Sequence, residues 1–139
     1  GFESAKSKVG AGTSIAGNAV GTGLVLDFSK HMDRIVSVDA LSRTAVVEPG
    51  VVLSSLQRAT APHSLRFGPD PSTHNRATLG GMIGNNSCGS HALFAGKTVD
   101  NVERLTLVTY GGETLRVGAF EPAQLDAAIA AGGAHPPLF

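Results

Sequence analysis

Gly68-Pro69-Asp70-Pro71-Ser72-Thr73-His74-Asn75-Arg76-Ala77-Thr78-Leu79-Gly80-Gly81-Met82-Ile83-Gly84-Asn85-Asn86-Ser87-Cys88-Gly89 is the stretch that decides the fold. A proline-stiffened turn leads into a hydroxyl-bearing run, and glycines then alternate with Asn, Ser and Thr. Neither a plain helix nor a plain strand suits it, because Gly costs backbone entropy in both and Pro withholds a donor. So many local penalties in one place imply close approach of the backbone to a large, phosphate-containing ligand. Thr78 is placed to N-cap a short helix starting at residue 79. Its glycine-rich start would leave free N–H groups for a phosphate. Asn85 and Asn86 tolerate left-handed backbone and carry amide donors and acceptors.

Upstream, residues 10–23 (GAGTSIAGNAVGTG) hold five glycines and three hydroxyls. Successive N–H groups in such a loop can converge on an anion. A flexible linker is the alternative, but Ile15, Ala16 and Val20 are apolar anchors that a Gly/Ser linker lacks. Two nucleotide motifs fail on spacing. After Gly10 and Gly12 the next glycine is Gly17, so there is no G-x-G-x-x-G. Gly96-Lys97-Thr98 resembles the end of a P-loop, but the position that needs its first glycine holds His91.

Composition narrows the class. Gly accounts for 18 of 139 residues, about twice the usual share, without a collagen period. That points to turns and ligand loops. With 42% hydrophobic and 16% charged residues, the chain can build a core. Zero net charge, few aromatics and no basic stripe argue against a nucleic-acid surface. A single cysteine excludes an internal disulfide framework and an iron–sulfur site within these residues. The apolar runs are too short for an integral membrane segment. With no secretory leader opening the chain, a cytoplasmic setting is expected.

Residues 24–27 read as a buried strand. Residues 34–39 and 43–48 read as an antiparallel hairpin, stopped by Pro49-Gly50. Residues 51–61 read as an amphipathic helix with Val52, Leu56 and Ala59 on one face, ended by Pro62. Residues 104–109 and 113–117 form a second hairpin around Tyr110-Gly111-Gly112. One helix is expected at 123–131. Strands outnumber helices, so the class is α+β, mostly antiparallel sheet with short flanking helices.

The sequence resembles the FAD-binding domain of the vanillyl-alcohol oxidase and p-cresol methylhydroxylase-type flavoproteins. It is most similar to the FAD-linked D-2-hydroxyacid dehydrogenases that oxidise D-lactate, glycolate or D-2-hydroxyglutarate. GAGTSIAGNAVG resembles that family's first pyrophosphate loop. GPDPSTHNRATLGGMIGNNSCGSHAL resembles its second, in the form found in long bacterial members fused to an iron–sulfur domain. TVDNVERLTLVTYGGETLRVG resembles the strand pair that follows. The resemblance implies non-covalent FAD, with Gly10, Ala11, Gly12, Thr13, Ser14, Ile15, Ala16 and Gly17 along the pyrophosphate. Pro69, Asp70 and Ser72 would approach the flavin side. Thr78, Gly80, Gly81, Gly84, Asn86 and Gly89 would hold ribityl, phosphate and ribose groups. Gly96 and Val102 would lie toward the adenine or its wall.

The same resemblance divides the chain into a flexible end or remnant (1–9), a partial FAD-binding domain (10–118) and a tail that begins the next segment (119–139). It implies oxidation of a small D-2-hydroxyacid, with hydride to flavin N5 and electrons passed to an acceptor protein or quinone. The substrate-binding part, its metal-binding histidines and any iron–sulfur cysteines would lie outside these residues. A position peripheral to the inner face of a membrane is compatible with such an acceptor. The sequence departs from the family pattern at Val9, where Arg is usual, and at Ala11 and Cys88, where Gly is common.

The residues also leave open a non-catalytic module of the same fold with empty loops, or another flavoenzyme of that fold. No Ser-His-Asp set, paired carboxylates or metal cluster stands out. His91 and His74 read as surface or hydrogen-bonded histidines, and Cys88 as a small packed residue. Asp70 reads equally as a turn former and as a group facing the flavin. Arg66 and Arg76 flank the loop, as solvated charges or as attractors for two phosphates.

Overall fold

A computed structural model describes residues 7–9, 12–13 and 25–118. The chain divides into two compact units, Gly1–Asn101 and Val102–Phe139. In the first, β1 (Ser7–Val9) pairs in parallel with β2 (Val25–Asp27). Then β3 (Ile35–Asp39) and β4 (Thr44–Val47) form an antiparallel hairpin whose register shifts between Ile35 and Ser37. Helices α1 (Leu53–Thr60), α2 (Leu79–Gly84) and α3 (Ala92–Ala95) follow. In the second unit, β5 (Arg104–Val108) and β6 (Thr114–Gly118) form an antiparallel hairpin. The expected helix at 123–131 lies outside the described residues.

The expected hairpins form. Arg34 closes the first by donating its backbone N–H and its guanidinium to the Glu48 carboxylate, with Nη2 at 2.7 Å. These bonds hold the Glu48 carboxyl below the usual carboxylate range. The strand at 25–27 forms, but Val25 and Leu26 are exposed rather than buried. A two-stranded ribbon cannot bury its own faces.

Helix α1 buries Leu53, Leu56 and Thr60, a face shifted from the expected Val52, Leu56 and Ala59. The Thr60 hydroxyl is satisfied by the Leu56 and Gln57 carbonyls at 3.1 and 3.3 Å. The chain does not stop at Pro62 but continues through a 3-10 turn, Ala61–His63. Pro62 sits near its start, where a missing N–H costs little. Ser64 then reverses the chain with φ 56°.

The core gathers Val51, Leu53, Leu56, Ala77, Leu79 and Met82, with Ile35, Val47 and Phe67 packed against them. It lies where the starts of α1 and α2 meet. An isolated bridge pairs Val52 with Thr78. Leu53 and Ser54 donate to the Ala77 and His74 carbonyls at 2.9 and 3.1 Å, while Leu79 and Gly80 donate to the Val51 and Pro49 carbonyls, both at 2.8 Å. Each helix start thus finds acceptors in the segment preceding the other, satisfying N–H groups that a helix cannot bond internally.

Fully burying an aliphatic side chain contributes about 1.5–3 kcal/mol, so this junction is where stability concentrates. Leu53, 0% exposed, is its centre, whereas Leu41 is 95% exposed. Leu53→Ala is expected to cost about 2–5 kcal/mol in urea unfolding, and Leu41→Ala less than about 0.5 kcal/mol. Equal effects would contradict this placement of the core.

Candidate functional site

The stretch 68–91 leaves the core and is tied back to it at several points. Gln57 grips the backbone of Phe67 at its entrance, donating to the carbonyl at 2.8 Å and accepting from the N–H at 3.2 Å. Pro69 is fully buried. Thr78 caps α2, its Oγ1 accepting from Gly81 N–H at 3.4 Å. Past the helix, Asn86 adopts φ 44°. Its Oδ1 accepts from Val99 N–H at 3.0 Å, and the Ser87 carbonyl accepts both the N–H and the hydroxyl of buried Thr98 at 2.9 and 2.7 Å. Ser87 is thereby anchored.

The far limb closes on Asp70. Gly89 lies so close to the Asp70 carbonyl that an added Cβ would overlap its backbone. His91 donates its backbone N–H to Asp70 Oδ1 at 3.3 Å, and its Nδ1 meets Asp70 Oδ2. Arg66 Nη2 lies 3.8 Å from the same carboxylate. Hydrogen bonding from the His91 side chain is the main reason the Asp70 carboxyl sits below its ordinary range, with the His91 N–H and the Arg66 charge adding to it. Between the two anchors, the N–H groups of Cys88, Gly89 and Ser90 have no hydrogen-bond partner among the described residues.

The glycines of this stretch fall into two kinds. A Cβ at Gly80 would lie 2.7 Å from Pro49 Cβ, so Gly80, like Gly89, is required by packing inside the protein. Gly96, at φ 72°, is required by its backbone and by nearby Asp100. A Cβ at Gly81 would meet only Thr78 Oγ1, at 3.1 Å, and at Gly84 nothing within 4 Å. A side chain at Gly81 would therefore press on the hydroxyl that caps the helix, whereas nothing beside Gly84 demands the loss of a side chain.

Of the expected site residues, Gly10, Ala11, Ser14, Ile15, Ala16 and Gly17 lie outside the described residues. Gly12 and Thr13 are exposed, with Gly12 at φ 63°. None of the described hydrogen bonds joins them to the second loop. Thr78, Gly80, Gly81 and Gly84 share α2 and its cap. Asp70 adjoins Gly89, Pro69 before it in the chain is buried, and Ser72 is exposed. Asn86 and Gly96 border the turn at 97–101, and Val102 opens the second unit.

Three readings change. The start of α2 does not leave its N–H groups free: Leu79, Gly80 and Gly81 donate to Val51, Pro49 and Thr78. Cys88 is exposed rather than packed, because it lies on the outward span between the Ser87 and Gly89 anchors. Asp70 serves as an intramolecular acceptor, and its partner His91 lies 21 residues away. Buried Thr98 had no sequence signal beyond a threonine after Gly96-Lys97.

The loop is glycine-rich and tied at both ends, and its Cys88, Gly89 and Ser90 N–H groups have no partner among the described residues. The FAD binding domain family matches residues 7–118, and the chain belongs to it. Among curated relatives, the D-2-hydroxyglutarate dehydrogenase of Pseudomonas putida is 40% identical over 124 residues, 89% of this chain and 12% of that protein. The glycolate oxidase subunit GlcD of Bacillus subtilis is 40% identical over 111 residues, 78% of this chain and 23% of that subunit. The chain therefore spans a small part of the length of these relatives. An alkyldihydroxyacetonephosphate synthase shares the fold, with TM-score 0.70 and 22% identity over 86% of this chain and 22% of its own. No helix among the described residues is long and apolar enough to cross a membrane.

The Asp70 carboxylate gives a test of the loop closure. A carboxyl held low in the folded state contributes stability that is complete above its unfolded value, about 3.9, and is lost as pH falls through its folded value. Asp70→Asn should therefore be less stable than the parent near pH 6, with a gap that closes below pH about 4. Urea unfolding across that range checks it, and an undiminished gap at the acid end would contradict it.

Proposed function

We propose that this chain is the FAD-holding part of an FAD-linked oxidoreductase acting on a small D-2-hydroxyacid of the glycolate, lactate or 2-hydroxyglutarate type. The observation that carries the reading is Gly84, where an added Cβ would meet nothing within 4 Å, in the same loop as the N–H groups of Cys88, Gly89 and Ser90, which have no partner among the described residues. A glycine with open space where a side chain would stand, in one loop with N–H groups that have no partner among the described residues, suits a ligand with phosphate and hydroxyl oxygens. Membership in the FAD binding domain family supplies the identity of that ligand.

FAD, when bound, supplies the two-electron acceptor for hydroxyacid oxidation. The part of this chain is to bind and orient. The loop at 10–17 would line the pyrophosphate from one side. Residues 69–89, with Gly96 beyond them, would line the rest of the cofactor, Asp70 holding the shape of that stretch rather than touching FAD. Non-covalent attachment fits, since no side chain here stands out as an anchor. Residues that select and deprotonate the substrate, and the route to an acceptor protein or quinone, would belong to the remainder of the polypeptide.

Two substitutions separate the ligand's demands from those of the fold. Gly84→Val should keep the circular dichroism of the parent and weaken FAD binding at least about tenfold, a loss of about 1.4 kcal/mol. Gly89→Val should disturb the loop with or without FAD, because its side chain would meet the Asp70 backbone. The parent should release FAD on denaturation and be stabilised against heating by added FAD, by about 2.7 kcal/mol at a hundredfold excess over Kd. A colourless parent that gains no stability from FAD would sink the reading in favour of an empty module of the same fold.

A further inference from the structure

We infer that Asp70 and His91 form a clasp that shapes the second loop for FAD, with Asp70 acting as a positioning residue and not as a contact to the cofactor. The inference rests on the FAD reading above. The flanking prolines restrict Asp70's backbone. Its side chain is 13% exposed, and both carboxylate oxygens are engaged, Oδ1 by the His91 N–H and Oδ2 by His91 Nδ1. Its carbonyl is covered by Gly89. Little of Asp70 is left to offer a ligand, and a negative charge is a poor neighbour for a diphosphate. Arg66, at 3.8 Å and largely exposed, only partly offsets that charge.

What the pair does is hold position. His91 precedes α3, its carbonyl accepting from Phe94 and Ala95 N–H at 3.0 and 2.8 Å. Fixing His91 on Asp70 therefore fixes one end of Cys88–Ser90, while the Ser87–Thr98 bonds fix the other. The free N–H groups between these anchors are held in place before a ligand arrives, which lowers the ordering cost of binding.

The test measures FAD affinity of the intact protein by flavin fluorescence, with amide exchange at His91 followed separately without FAD. Asp70→Ala, which loses both bonds, should raise the FAD Kd about tenfold, His91→Ala, which keeps its backbone N–H on Oδ1, should raise it by less, and the double variant should bind no worse than Asp70→Ala. His91→Asn, which returns an amide donor near the Nδ1 position, should recover to within about threefold of the parent. The absorption spectrum of bound flavin should not change. Exchange at His91 should quicken in Asp70→Ala, which shows the clasp opening even where FAD is not bound.

Additive losses with a shifted flavin spectrum in Asp70→Ala would overturn the inference, placing Asp70 against the cofactor. So would parent-like FAD affinity in variants whose His91 amide exchanges faster. A parent that fails to bind FAD defeats the functional reading and this inference together; a parent that binds FAD with variants that bind as well defeats the clasp alone.

Discussion

Two helix starts that satisfy one another hold the described part of the first unit together. The carbonyls of Ala77 and His74 receive the first N–H groups of α1, and those of Val51 and Pro49 receive the first N–H groups of α2. Left unpaired at a buried junction, each donor would cost about 1–3 kcal/mol. The exchange also sets Leu53, Leu56, Leu79 and Met82 side by side. It forces Gly80 to be glycine, since the approach to Pro49 leaves no room for a side chain. Core and ligand loop thus share one constraint, and the loop at 68–91 begins and returns where the protein is best packed.

From that anchor outward, the glycines separate by purpose. Those at 80 and 89 are consumed by contacts within the protein. At Gly84 an added Cβ would meet nothing within 4 Å, while at Gly81 it would crowd the Thr78 hydroxyl at 3.1 Å. The N–H groups that a helix start would normally present are already bonded, whereas those of Cys88, Gly89 and Ser90 have no partner among the described residues. The start of α2 thus does not offer the free N–H groups that its sequence suggested.

The local features were legible in the sequence. Alternating apolar residues placed both hairpins, and Thr78 capped its helix as its position implied. Wherever a long-range partner decides the outcome, the sequence was less informative. The buried face of α1 is shifted because the Val52–Thr78 bridge takes Val52 out of the helix. Asp70 between two prolines read equally as a turn former or a cofactor contact, because its partner lies across the loop at His91. Gly80, Gly81 and Gly84 look alike in the sequence, and only the proximity of Pro49 distinguishes the first from the others. The strand at Val25–Asp27 had the composition of a buried element, but its partner β1 covers an edge and neither face.

Membership in the FAD binding domain family gives the chain its cofactor, and the proposed role of the loop at 68–91 is to hold it. The most direct measurement of that claim is amide hydrogen exchange with and without FAD. Protection should rise at Cys88, Gly89 and Ser90, whose N–H groups have no partner among the described residues, and stay unchanged at Leu79 and Gly80, already bonded to Val51 and Pro49. FAD binding that leaves residues 88–90 unprotected, or that protects only the hairpin of the second unit, would contradict the placement of the cofactor against this loop.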